Sequence, residues 1–269
     1  MYTKTDLMKQ IEALGIKHTD TLLIHSSMKS IGVVKGRADT VLDAFMEYLN
    51  KGLLVFPTHT WEQMSETYNV FDPKTEPSCV GILSNLFIKR PGVYRSLHPT
   101  HSVAAFGKNA KSFTQGEERF ETPCPREGCW GKLYDLDAKI LFIGCSLRTN
   151  TIIHGVEEWN QIANRLSKTP QSLKIKLEDG QVIERPLYRH HNEMGDVSKN
   201  YGKLTSPLLE LGITTTGKFG DAKTLLCRTK QMVDLTSQFL KRKPDLFIDN
   251  SPIPASWYDS TSERVFSKE

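Results

Sequence analysis

A short apolar run, Leu141-Phe142-Ile143, closed by Gly144, reads as a strand buried on both faces. Residues 145–151 are polar and turn-like, and Asn150 and Thr151 are both good N-caps for a helix that follows. On that helix His154 and Glu157 stand three residues apart and share a face. An imidazole with a carboxylate to orient it, or to stabilise its charged form, is a general-base arrangement. The same spacing also occurs as an ordinary pair on a helix surface, so the pattern alone leaves both readings open.

The chain opens with the same kind of alternation. Leu7, Met8, Ile11 and Leu14 lie at helical spacing over residues 5–14, with Gly15 as a stop. Residues 21–24 form a β-type run leading into His25-Ser26-Ser27-Met28-Lys29-Ser30, and Val41, Leu42, Phe45, Met46 and Leu49 mark an amphipathic helix over 37–50. Residues 53–56 are a second apolar strand. This order predicts an α/β fold with a central mixed, largely parallel sheet flanked by helices. Leu173, Ile175 and Leu177 alternate with Lys174 and Lys176, Asp179-Gly180 supplies a turn, and 182–188 returns, which predicts an additional antiparallel hairpin. Residues 80–89 read as a helix, and 103–106 and 139–144 as strands. The polar stretch 62–77 reads as a surface excursion, 108–132 as irregular apart from a short helix, and 214–220 as a tight turn before a helix through Met232, Leu235 and Phe239. Residues 1–269 are expected to form a single domain, with the tail after about 244 at its periphery.

Composition narrows the functional classes. No apolar run approaches the ~20 residues of a membrane span, and the N-terminus is an amphipathic helix without the apolar core of a signal peptide. Five cysteines, at 79, 124, 129, 145 and 227, form neither C-x-x-C pairs nor a disulfide framework, which suits a reducing, cytoplasmic setting. The net charge of +4 would attract an anionic cofactor, but it is not gathered into the basic stripe of a nucleic-acid binder.

Three further stretches carry chemistry. The hydroxyl-rich turn from His25 to Ser30, after a strand and before a helix, can seat a phosphate, with Lys29 adding charge. It lacks the glycine fingerprints of dinucleotide and triphosphate loops. Arg95, Ser96, His98, His101 and Ser102 crowd the start of the strand at 103–106, where they serve either to hold a pyrophosphate or to cap local turns. His190 and His191 follow the hairpin, and with His154 and Glu157 they suggest an alternative, a metal-dependent hydrolase.

HSSMKSIG at 25–32, FPTHTW at 56–61, RSLHPTHSVAAFG at 95–107, KLYDLDAKILFIG at 132–144, TNTIIHGVEE at 149–158 and GKFGDAKTLLCRTKQMVDL at 217–235 together resemble, in order and spacing, the aminoglycoside 3-N-acetyltransferase family. The resemblance runs from about residue 5 to 242. It implies an antibiotic N-acetyltransferase-like fold, acetyl-coenzyme A as donor and an antibiotic amine as acceptor; no metal is expected, and the composition predicts no nucleic-acid or membrane partner. The resemblance places His154 on the family's catalytic histidine and Glu157 on the acid one helical turn later. It also places His25, Ser26, Ser27, Lys29, Ser30, Arg95, Ser96, His98 and Ser102 in the stretches that hold coenzyme A. Two departures stand out: Arg148 replaces the acid of the family's Asp-Ser-Asn-Thr run, and Gly128-Cys129-Trp130 replaces its Ser-Pro-Leu. An arginine there repels a polycationic acceptor, so a coenzyme A-binding member without aminoglycoside activity is a further alternative.

Overall fold

The structure, a computed structural model, describes residues 1–193 and 195–259. Its elements in chain order are α1 (Lys4–Ala13), β1 (Thr21–Ser26), α2 (Arg37–Tyr48), β2 (Leu53–Pro57), β3 (Val70–Phe71), α3 (Ile82–Phe87), β4 (Tyr94–Arg95), β5 (Val103–Gly107), α4 (Ala110–Thr114), α5 (Cys129–Asp135), β6 (Lys139–Ile143) and α6 (Thr151–Trp159). The second half holds β7 (Gln171–Lys176), β8 (Val182–Leu187), α7 (Thr205–Glu210), β9 (Thr214–Phe219), β10 (Ala222–Arg228) and α8 (Thr229–Arg242).

Seven strands form the central sheet in the order β4-β5-β2-β1-β6-β10-β9. Its three middle strands alternate their burial as both-face strands must: Leu22, Ile24, Leu54, Phe56, Leu141 and Ile143 join one core, and Leu23, Val55, Ile140 and Phe142 the other. Helices α1, α2 and α3 cover the first face, and α5, α6 and α8 the second. A smaller sheet, β3-β7-β8, carries its own cluster of Met64, Phe71, Leu173, Ile175 and Leu187. The α/β class, the mixed sheet and the antiparallel hairpin β7-β8 are as expected.

Five expectations need correction. The large sheet is parallel only where β1 meets β2 and β6; β5, β4, β10 and β9 all join antiparallel. Part of the reason is the stretch expected as a turn at 214–220. Its three threonines favour the pleated surface and form β9, and the turn falls at Gly220, at φ 60°, before β10. The polar excursion at 62–77 contains β3 and buries Met64 and Phe71, and 108–132 holds two short helices. The tail is not peripheral as far as residue 259, because Leu246, Phe247, Ile253 and Tyr258 are buried in the second core. Asn200 Nδ2 donates to the Phe247 carbonyl at 2.9 Å and Lys203 Nζ to that of Leu246 at 2.7 Å, so the tail grips the 197–204 segment.

Phe247 is fully buried, with its ring edge-on to Tyr201 at 4.8 Å between centroids. Phe247→Ala therefore lowers stability in urea unfolding by about 3–5 kcal/mol, the cost of emptying an aromatic core position. A loss below about 1 kcal/mol, typical of a surface site, would return the tail to the periphery.

Candidate active site

β1, β2 and β6 run parallel and end at one edge of the sheet, where β5, antiparallel to β2, begins. Ligands of open α/β sheets bind at such carboxyl ends. His25 sits opposite Phe142 and Ser26 opposite Ile143, which sets the 25–30 turn beside the 144–151 turn. Gly144 has φ 64°, and a Cβ there would stand 2.3 Å from the Ser30 Cβ, so glycine is what lets the two turns close. A cavity of about 1010 Å³ opens at this edge. His25, His59, His101, His154, His190 and Arg148 are among the side chains lining it.

α6 begins at Thr151 with Asn150 as its N-cap residue, although the Asn150 side chain turns to Met232 Sδ instead of capping. His154, 21% exposed, faces the cavity, and Glu157, 1% exposed, lies beneath it. Their nearest atoms, Nδ1 and Oε2, are 3.8 Å apart, beyond a hydrogen bond. Tyr201 fills that gap. Its Oη lies 2.7 Å from His154 Nδ1 and donates to Glu157 Oε2 at 2.6 Å. Arg165 Nε donates to Glu157 Oε1 at 2.5 Å. Burial pushes the Glu157 carboxyl upward, and the bonds from Tyr201 and the Arg165 guanidinium oppose that shift.

A second histidine–carboxylate pair lies against the first. The His190 ring stacks on His154 with centroids 4.1 Å apart and planes at 19°, and its Nε2 is 2.8 Å from Glu158 Oε1. Burial pushes each member toward its neutral form, His190 down to about 3 and Glu158 up to about 7. The cavity's other imidazoles follow the same logic. Burial takes His25 to about 3, and burial with neighbouring imidazoles takes His59, His101 and His154 well below 6.5.

The nominated residues separate into two groups. His25 and Ser26 line the cavity with His154; Ser27 and Ser30 bond each other at 3.0 Å just outside its lining, and Lys29 on the same turn is exposed. Arg95, Ser96, His98 and Ser102 lie behind the cavity instead. Arg95 donates to the carbonyls of Thr58, Pro73 and Glu76 and to Ser102 Oγ. Ser96 Oγ accepts from Val103 N, Ser102 Oγ donates to the Thr58 carbonyl, and His98 Nδ1 accepts from the N–H groups of Thr100 and His101. These bonds satisfy backbone groups of the local turns. For the hydrolase alternative, Glu157 is no longer an open ligand. Both oxygens of Glu157 and Nδ1 of His154 are committed to the Tyr201–Arg165 chain. Among the described residues the group near enough to share a metal is Cys124, Glu158 and His190, in which Cys124 N donates to Glu158 Oε1 and His190 Nε2 lies within hydrogen-bond distance of the same oxygen.

Sequence reasoning missed Tyr201 and Arg165, and His59 beyond its place in a motif. Tyr201 is 44 residues from Glu157, with no local pattern to connect them. The only signal for Arg165 was that a buried acid at 157 requires a cation.

The family described as aminoglycoside 3-N-acetyltransferase matches residues 23–241. The SPbeta prophage-derived aminoglycoside N(3')-acetyltransferase-like protein YokD of Bacillus subtilis (strain 168) is 28% identical over 187 residues, covering 61% of this chain and 68% of that one. In the match to aminoglycoside N(3)-acetyltransferase III of Salmonella sp, 29% identical over 185 residues, the shared stretch covers 61% of this chain and 63% of that relative. A mutant of aminoglycoside acetyltransferase AAC(3)-IVa, solved in complex with a gentamicin, superposes with a TM-score of 0.79 at 25% identity over 91% of each chain. AAC-IIIb, solved with CoASH, superposes with a TM-score of 0.80 at 20% identity over 94% of this chain and 99% of that one, a likeness of fold. The family pattern spans well over half the sequence, and the chain belongs to the aminoglycoside 3-N-acetyltransferase family.

Proposed function

We propose that the protein transfers an acetyl group from acetyl-coenzyme A directly to an amine of an aminoglycoside or aminoglycoside-like acceptor, with His154 as general base. The observation that carries this reading is the chain Arg165–Glu157–Tyr201–His154, which occupies Nδ1 of a cavity-lining imidazole and leaves its other nitrogen for substrate. The acceptor amine, in its neutral form, attacks the thioester carbonyl carbon while His154 Nε2 takes its proton. The tetrahedral intermediate then collapses, the carbon–sulfur bond breaks, and the coenzyme A thiolate leaves, collecting the proton from His154. Cys145 also lines the cavity, but burial pushes its thiol upward, away from the thiolate that an acyl carrier needs. His25 and Ser26 share the cavity wall with His154, which supports the placement of the donor's thioester end along the end of β1.

Arg148 stands at the rim, 63% exposed, with Asp196 at 3.3 Å. A polycationic acceptor that would otherwise meet Asp196 finds it already paired.

His154→Ala lowers amine-dependent release of coenzyme A by about 10²–10⁴-fold, the span of general-base contributions, and leaves the calorimetric affinity for acetyl-coenzyme A nearly unchanged. A mutant with near wild-type turnover removes the proposed base. Because burial lowers the His154 pKa from 6.5, the ring stays unprotonated and able to accept a proton through mildly acidic pH. Its NMR titration therefore shows no midpoint at 6.5, and a midpoint at or above that value contradicts the assignment. Arg148→Ala raises kcat/KM for gentamicin about 2–10-fold at low salt, an effect that fades as added salt screens the rim. An unchanged or lowered kcat/KM would show that Arg148 does not oppose the acceptor.

A further inference from the structure

We propose that Tyr201 is a positioning residue of the site: it links the charge of Glu157 to His154 and fixes the imidazole in the tautomer that carries its proton on Nδ1. The assignment rests on counting donors. A tyrosine hydroxyl has one hydrogen, and an ionised carboxylate only accepts. Glu157 receives the Arg165 guanidinium on Oε1 at 2.5 Å, which holds it as a carboxylate, so the Tyr201 hydrogen points to Oε2 at 2.6 Å. The Tyr201 oxygen, 2.7 Å from His154 Nδ1, then has only lone pairs to offer, and Nδ1 must be the donor. Nε2 is left unprotonated on the cavity side. Helix spacing alone does not achieve this, because the carboxylate and Nδ1 are 3.8 Å apart without the phenol.

Tyr201 is held for this task. It is fully buried, its ring meets His154 edge-on at 5.0 Å between centroids, and Phe247 packs against its other side. When His154 takes the acceptor's proton, the Nδ1 proton stays in place, and the new positive charge faces a phenol oxygen whose own hydrogen is bonded to an anion. No proton crosses to Glu157.

The proposal rests on His154 being the base, but its first test does not use activity. With ¹⁵N-labelled histidine, the wild-type His154 resonances at neutral pH show a protonated Nδ1 and an unprotonated Nε2. Glu157→Gln inverts this order. Arg165 Nε–H keeps the amide oxygen on its side, the amide N–H turns to Tyr201, and the phenol hydrogen is driven onto Nδ1, so the ring proton moves to Nε2. Tyr201→Phe releases the ring, and the Nε2-protonated form becomes populated. Kinetically, Tyr201→Phe lowers kcat by about 10²-fold while both KM values change little; a catalytic imidazole in the wrong tautomer costs up to about 10⁴-fold. A wild-type proton on Nε2, an unchanged tautomer in Glu157→Gln, or Tyr201→Phe with near wild-type kcat would each overturn the proposal. If Tyr201→Phe does not fold, the wild-type and Glu157→Gln spectra still decide. If the tautomers behave as stated but no amine is acetylated, the functional reading fails and the tautomer assignment stands.

Discussion

A carboxylate with 1% of its side chain exposed cannot stay charged without a cation, and Glu157 has one in Arg165, itself 4% exposed. Removing either partner of such a pair strands a buried charge at a cost of about 3–5 kcal/mol. This pair fixes how α6, the loop carrying Arg165 and the 197–204 segment come together. With Arg165 on one oxygen, the other accepts from Tyr201, and Tyr201 reaches His154. The C-terminal stretch closes the arrangement from behind: Lys203 bonds the carbonyls of Leu246 and Asp249 and the Asp249 carboxylate, and Phe247 packs on Tyr201. The site is thus built on the second core rather than attached to its surface.

The sheet supplies the other half of the geometry. Parallel pairing at its centre delivers the ends of β1, β2 and β6 to one edge, and antiparallel β5 adds the residues that precede it. His25 arrives there on β1, His59 just after β2, His101 just before β5 and His154 on α6, and His190 follows β8 of the small sheet. The small sheet is anchored there by Arg189, which donates to the carbonyls of Trp61 and Met64 and to Gln171. Gathering imidazoles out of water disfavours their charged forms, so the cavity holds neutral rings that accept protons instead of a block of positive charge.

Much of this was legible in the sequence, for reasons that differ by residue. The pattern from Leu141 to Glu158 read correctly because a both-face strand, a polar turn and a helical period each leave a local trace. The hairpin of β7 and β8 read correctly for the same reason. Arg95, Ser96, His98 and Ser102 show the limit of such reading. Polar density at a strand entrance has two physical causes, a ligand to bind or buried backbone groups to satisfy, and composition does not separate them. Here the internal bonds are plain, since Arg95 alone reaches three carbonyls. Thr214, Thr215 and Thr216 misled because a glycine soon after threonines suggests a turn, whereas the β-branched run is the stronger term. Tyr201 left no trace at all, because what gives it a role is contact with Glu157 across the fold.

The central claim, that His154 is the base poised at the reacting thioester, is tested most directly by a crystal structure of the protein with coenzyme A. The account expects the pantetheine sulfur inside the cavity on the Nε2 side of His154, near enough for one acceptor nitrogen to touch both. A sulfur bound at a distant face, outside the cavity that His154 lines, would contradict it.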